Sequence, residues 1–472
     1  MKSILVLHAL MDNSRLSTIQ HVTCFGRHSY GNKVIYKNIF GVMPNNLKVD
    51  IVIVTQELLA LRNFPIWEVV KKRMQPLIES STLRVAMPQD DYTMSESLDR
   101  FLVDCKFTHV FTPLTRDLDQ IYPNAINADI KFEEALTGYF EADHWDLTRQ
   151  FVVPFREREI DLGQRVVLLS PHFGMSANRK GRIAIEMAKM ASQRGFTCDV
   201  STDPNEVFIG NEWWKFLGNI RYTISRKGGA SIADPRGYLG DRARRLELRY
   251  PNISYEELAK KLKIATKKEG DFSAISPRLF EASAMGVCQI LDEDEYIGEI
   301  EPWVHYIPLK NDFENIDEVI RAMGDFEKSE SMANAAATAL ISSGRYTYEF
   351  FVKEMLKKLD CLVLPKSLGL NLSDLDEVQD EIIKSKRENL RHVQDYVRRC
   401  YLARKSKMAI TALKAGALFR LGPYDDGWFE PTKENCESMM FWIEAFTTNN
   451  LLAESLTFPW RSAIGLAHIG NK

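Results

Sequence analysis

The sequence predicts an α/β protein made of two successive doubly wound units facing across a cleft, with a helical C-terminal extension. Three observations carry this. Short β-rich runs alternate with helical patterns through the first third, the alternation breaks over Glu141 to Gln164, and it resumes from Arg165.

In the first unit, Lys2–Leu7, Val49–Val54, Leu83–Met87 and His109–Thr112 read as strands. Ile66–Glu79 and Ser95–Cys105 read as helices, with Ser95 as the cap of the second. The stretch Glu141–Gln164 is charged and irregular, as expected of a linker or sheet edge. The second unit offers strands at Val166–Leu169, Thr197–Val200, Tyr222–Ser225, Val287–Leu291 and Tyr306–Leu309, and helices at Arg182–Arg194 and Ser276–Met285. Beyond Pro365 the pattern is helical throughout, with a long charged stretch from Ser373 and a basic cluster at Arg398, Arg399, Arg404, Lys405 and Lys407. Strand-helix alternation implies parallel sheets of Rossmann type. Ligands of such sheets bind at the strands' C-terminal ends, so the cleft between the units is the expected site.

A length of 472 residues implies two or three domains, and 45% hydrophobic with 26% charged residues suits a globular chain. A formal net charge of −3 gives no global reason to expect a nucleic-acid partner. Apolar runs are too short to span a bilayer, and the first residues read as a strand rather than a signal peptide. The seven cysteines are scattered without a C-x-x-C pair. That fits reduced thiols in a cytoplasm, and neither a zinc site nor any other metal site is expected.

The strongest local signal is Ile275-Ser276-Pro277-Arg278-Leu279-Phe280-Glu281-Ala282-Ser283-Ala284-Met285-Gly286. Ser276 suits an N-cap, Pro277 suits a first turn, and Gly286 suits a stop. The positive end of such a helix favours a diphosphate, Arg278 can add a bidentate phosphate contact, and Glu281 can accept from ribose hydroxyls. A well-capped helix with a solvated Arg and Glu is the other reading.

This segment resembles the acidic helix of GT-B-type glycosyltransferases. Trp303 to Phe313, Asp317 to Ile320 and Ser343 to Tyr348 look like the elements that follow it there, and Lys227 to Asp234 resembles a glycine-containing loop of the bacterial spore-coat glycosyltransferase-like group. The resemblance spans about Arg165 to Leu359. It departs at Ser273, where many retaining relatives have a Glu, and at Met175, where a phosphate-binding Arg stands in the motif that Lys180-Gly181 would end. It implies an acceptor domain over 1–155, a nucleotide-sugar domain over 156–345, and a crossover helix with helical extension over 346–472. It also implies a nucleotide-diphospho-sugar donor and a hydroxyl acceptor, with no separate cofactor.

The expected donor residues are Lys180, Lys227, Gly228, Gly229, Ser231, Ser276, Arg278, Glu281 and His305. Gly228 and Gly229 permit close backbone approach, or else make a tight turn. His305 is expected at the cleft end of its strand, or else is structural. In the first unit Asp90 and Asp91 follow a strand and could deprotonate an acceptor, or else cap the next helix. His21, with Arg27, His28 and Tyr30, faces the acceptor or simply lines a surface loop. The basic C-terminal cluster reads as a peripheral membrane or protein contact, or as a solvated helix face. Two rival functions stand beside glycosyl transfer: a nucleotide-sugar epimerase, and a non-catalytic nucleotide-sugar-binding scaffold. A dinucleotide oxidoreductase is disfavoured because no G-x-G-x-x-G follows either first strand.

Overall fold

The computed structural model describes residues 1–10, 16–41, 47–64, 66–208, 210–292, 294 and 296–362. The expected helices and basic cluster beyond Pro365 lie outside the described residues.

The first sheet contains β1 (Ser3–His8), β2 (Lys33–Asn38), β3 (Val49–Val54), β4 (Ser81–Ala86), β5 (His109–Thr112) and β6 (Lys131–Glu134). They lie in the order β2-β1-β3-β4-β5-β6, and every pair is parallel. Parallel sheets are covered on both faces, and the strands show it. Leu5, Leu7, Val52 and Val54 join one core, against the helices Trp67–Glu79 and Ser95–Asp104. Ile4, Val6, Ile51 and Ile53 join the other, against the helices Leu16–Arg27 and Tyr348–Lys358. The period of two in side-chain direction therefore sorts consecutive apolar residues into two cores.

The second half begins with β7 (Ile160–Arg165) and continues through β8 (Cys198–Ser201), β9 (Ile220–Ser225), β10 (Gly228–Ala230), β11 (Phe272–Ala274), β12 (Cys288–Asp292) and β13 (Ile307–Leu309). Its five-stranded parallel sheet has the order β13-β12-β9-β7-β8. β10 and β11 form a separate antiparallel pair, joined by an excursion carrying the helices Tyr238–Arg249 and Tyr255–Leu262.

Two expectations are corrected here. The first strand of this half is Ile160–Arg165, not Val166–Leu169. Its polar residues are buried because distant partners satisfy them: Asp161 pairs with Arg221 at 2.8 Å, Arg165 with Asp199 at 2.8 Å, and Gln164 donates to the Ile224 carbonyl. A hydropathy pattern cannot register such bonds. The charged stretch before the strand also has a structural task. The guanidinium of Arg158 is buried and binds the carbonyls of Val153, Ile220, Met285 and Gly286, fastening the starts of β9 and β12.

The C-terminal edges of the two sheets face each other. After β4, Met94 N–H donates to the Asp234 carbonyl at 2.9 Å, and Asp234 N–H to the Tyr92 carbonyl at 2.7 Å. The helix Ser95–Asp104 is preceded by Met94 in a left-handed conformation, with no side-chain cap. Its free Glu96 N–H donates to the Pro235 carbonyl, so capping comes from the opposite half and not from Ser95. After β6, Thr137 Oγ1 donates to the Ile275 carbonyl at 2.6 Å. The chain then returns to the first half through the helix Tyr348–Lys358, whose Tyr348, Phe351, Val352, Met355 and Leu356 enter its core. Two Rossmann-like sheets edge to edge with a returning final helix make this a GT-B architecture. No helix among the described residues is long and apolar enough to cross a membrane.

Candidate donor and acceptor site

Side chains of opposite sign converge at the C-terminal edge of the second sheet. β7 ends at Arg165, whose carbonyl accepts from Arg278 Nη1 at 2.6 Å. β9 ends one residue before Arg226, and β12 ends at the buried Asp292. Asp292 pairs with Arg179 at 3.3 Å and Arg226 at 3.5 Å, and Lys227 pairs with Asp294 at 3.1 Å. Arg179 opens the helix Arg179–Ser192 and also reaches Asn311.

Lys180, next on that helix, has a pKa lowered to about 7. Burial is the largest cause, followed by the charges of Arg278 and Arg226, while Glu281 acts in the opposite direction. Among the described residues no carboxylate forms an ion pair with Lys180. Among the described residues, five cations and three carboxylates thus share one strand edge. An anion entering there would favour the charged form of Lys180 against both its burial and the neighbouring cations.

Glu281 accepts from Trp213 Nε1 at 3.0 Å, and the Arg278 guanidinium lies 5.5 Å from the Trp213 ring centroid. The helix that carries them is Arg278–Ala284, and Pro277 before it already has helical dihedrals, φ −53° and ψ −24°. Ser276 Oγ accepts from the Arg278 N–H at 3.4 Å, a long bond in the N-cap pattern expected of it. Gly286 ends the segment at φ 64°, as its sequence position suggests. Pro277 abuts Gly138, so the helix tip points to the first half.

The glycine loop has a different role from the one expected. Gly229 has φ 135°, and a Cβ there would overlap the Phe272 carbonyl on β11, so the glycine serves strand pairing and not close approach of a ligand. Around Gly228 the space is open. Ser231 is buried, its hydroxyl without a partner among the described residues, and it packs over Gly174 so closely that a side chain on Gly174 would collide with it. His305 is corrected outright. It precedes β13, whereas the facing edge follows Leu309, and its Nδ1 accepts from Glu301 N–H at 2.9 Å.

In the first half Asp90 is exposed, at φ 50°, and its Oδ1 accepts from the Tyr92 hydroxyl at 2.7 Å. The buried Arg62 holds the carbonyls of Gln89, Asp90 and Thr93, fixing this turn from beneath. Asp91 is 0% exposed and accepts from Thr112 and Tyr122 hydroxyls. Burial raises its pKa, and burial also keeps it from any acceptor, which corrects its reading as a base. His21 is likewise corrected. It is buried between two helices, 5.8 Å from the Tyr348 ring and 6.1 Å from Phe351, with a pKa lowered to about 4 by burial.

Sequence reasoning missed Arg226, Asp292, Trp213 and Glu57. Arg226 stands next to Lys227 after a strand, a signal that was readable. Glu57 was not readable. It follows β3 beside β1, where the strand order of the first sheet reverses, and its Oε1 accepts from Ala9 N–H at 3.1 Å and from Thr55. Its Oε2 is buried without a partner among the described residues, and burial pushes its pKa up to about 7. Ligands of open α/β sheets favour that reversal point.

No protein-family profile matches the chain, and no curated protein matches it. Among solved structures, it is similar to HepE of Anabaena in complex with UDP and glucose, at 10% identity and a TM-score of 0.37, over 76% of this chain and 100% of that one. It is similar to a glycosyltransferase of Rickettsia africae at 11% identity and a TM-score of 0.38, over 78% and 99%. It is also similar to a sucrose-phosphate synthase of Thermosynechococcus elongatus at 9% identity and a TM-score of 0.39, over 77% and 99%. These superpositions are loose, and the architecture above rests on this chain's own strands and packing.

Proposed function

We propose that the chain is a glycosyltransferase, akin to the spore-coat-like group, that moves a sugar from a nucleotide-diphospho-sugar to a hydroxyl acceptor. The observation that carries this is the gathering of Arg179, Lys180, Arg226, Lys227 and Arg278 at one strand edge, with Glu281 beside them and the first half opposite. In this reading Lys180, Arg226 and Arg278 neutralise the leaving diphosphate without a metal, and Glu281 accepts from the ribose hydroxyls.

Asp90 takes the acceptor's proton as the acceptor oxygen bonds to the sugar's anomeric carbon. The bond from that carbon to the diphosphate oxygen breaks, and the nucleoside diphosphate leaves with the electron pair. The segments around Asp234, Ile275 and Pro277 that meet the first half would keep water from the donor.

Calorimetry with UDP-, ADP- and GDP-linked sugars tests the reading. One donor should bind, Glu281→Ala should weaken it roughly tenfold or more, and slow release of free sugar should accompany binding. If none of the donors binds, the proposal fails. The burial of Asp91 and His21 favours one second reading, a nucleotide-sugar binder without catalysis. Tight binding with neither transfer nor hydrolysis would select it. Product formed without any acceptor would instead select epimerisation.

A further inference from the structure

We propose that Trp213 is a positioning residue of the donor site, orienting Glu281 toward the ribose and Arg278 toward the diphosphate, and so sets selectivity for the ribose hydroxyls. This rests on the donor-site reading above.

The contacts are specific. Trp213 lies on the helix Asn211–Gly218, on the chain 68 residues from Glu281, and its only polar atom donates to Glu281 Oε2 at 3.0 Å. The opposite demands of the same ring are also met: Phe216 stacks on it at 5.8 Å and 29°, and the Arg278 guanidinium sits 5.5 Å from its centroid. The same guanidinium donates from Nη1 to the Arg165 carbonyl. One half-buried indole therefore touches the anion and the cation that the donor would need, from an element outside their helix.

The chemistry explains why an indole suits the place. A carboxylate offers about four acceptor positions, and an indole offers one donor and no acceptor. The bond restricts the carboxylate's rotation without adding a charge of its own. A carboxylate fixed in this way can receive two neutral vicinal hydroxyls without first losing rotational freedom. The ring face meanwhile attracts Arg278 through its quadrupole, without supplying a hydrogen-bond acceptor that would compete with phosphate.

The experiment compares binding of UDP, ADP and GDP with that of their 2′,3′-dideoxy counterparts by calorimetry, for whichever base binds the wild type. The wild type should favour the ribonucleotide by roughly tenfold or more. Trp213→Phe keeps the ring and removes the N–H. It should collapse most of that preference while leaving affinity for the dideoxy form within about threefold. Trp213→His returns a ring N–H and should restore part of the preference. Thermal melting confirms that each variant is folded, and either variant suffices if the other is not.

A ratio unchanged in Trp213→Phe overturns the proposal. So does an equal loss for both nucleotides, which is the mark of a purely structural tryptophan. Glu281→Ala separates the two levels. If it leaves the ratio at the wild-type value, the donor-site reading itself has failed. If it abolishes the ratio while Trp213→Phe preserves it, only the role of Trp213 has failed.

Discussion

Tyr122 donates its hydroxyl to the buried carboxylate of Asp91, from a position 31 residues further along the chain. Thr112 donates to the same oxygen. Next to it, Asp90 remains exposed at the edge that faces the second half. Two adjacent carboxylates thus have opposite tasks.

Their substitution should separate stability from turnover. Asp91→Ala leaves two buried hydroxyls without their acceptor and should cost about 1–3 kcal/mol, read by denaturant unfolding, with nucleotide affinity unchanged. Asp90→Asn should leave the melting temperature in place and lower transfer by roughly a hundredfold if Asp90 is the base. Full transfer in Asp90→Asn would remove Asp90 as the base.

Glu57 gives a pH signature. Its pKa rises from 4.5 in the unfolded chain to about 7 in the fold, chiefly through burial. A raised folded pKa contributes stability that is fully present below 4.5 and disappears as pH rises through 7. Wild-type unfolding free energy should therefore fall between pH 5 and pH 8 more steeply than that of Glu57→Gln. Parallel curves for the two proteins would show that the carboxyl titrates normally.

Lys180 titrates in the opposite sense. Its pKa falls from 10.5 unfolded to about 7 folded, so in that window the unfolded chain holds a proton that the folded site sheds. Stability without ligand should then rise with pH across this window. A bound diphosphate reverses the preference and draws the proton back. Binding at pH 8 should take up protons, measured by calorimetry in buffers of different ionisation enthalpy, and affinity should weaken by up to about tenfold per pH unit above 7. Lys180→Met should abolish the uptake, and Lys180→Arg should bind with little dependence on pH. Equal uptake in Lys180→Met would assign the proton elsewhere.

The two adjacent glycines should behave differently. Gly229→Ala forces a Cβ at φ 135° into the Phe272 carbonyl and should destabilise by about 2 kcal/mol or more. Gly228→Ala enters open space and should stay within about 0.5 kcal/mol. A tolerant Gly229 would show that the β10–β11 pairing can be dispensed with.

The sequence predicts the strands Val49–Val54 and His109–Thr112 with the bounds they have, and starts the helix carrying Arg278 and Glu281 two residues early. Those are local properties: apolar runs of strand length, and a proline and a glycine at the two ends of a helix. Local pattern likewise implied two α/β halves in succession and a ligand at their edges. It failed where a residue's environment is supplied from far along the chain. Asp161, Gln164 and Arg165 make a buried strand only because Arg221, Ile224 and Asp199 meet them. His21 leaves the acceptor surface because Phe351, in the returning helix, covers it.

By itself, then, the sequence determined the α/β class, the duplication of the sheet and the cationic, carboxylate-bearing segment from Arg278 to Glu281. The tertiary structure alone decided which charges meet and which are hidden. It separated exposed Asp90 from buried Asp91, moved His305 to the far end of its strand, and set Trp213 against Glu281. The reason is physical: backbone preference acts over a few neighbouring residues, whereas desolvation and charge coupling depend on distance in space.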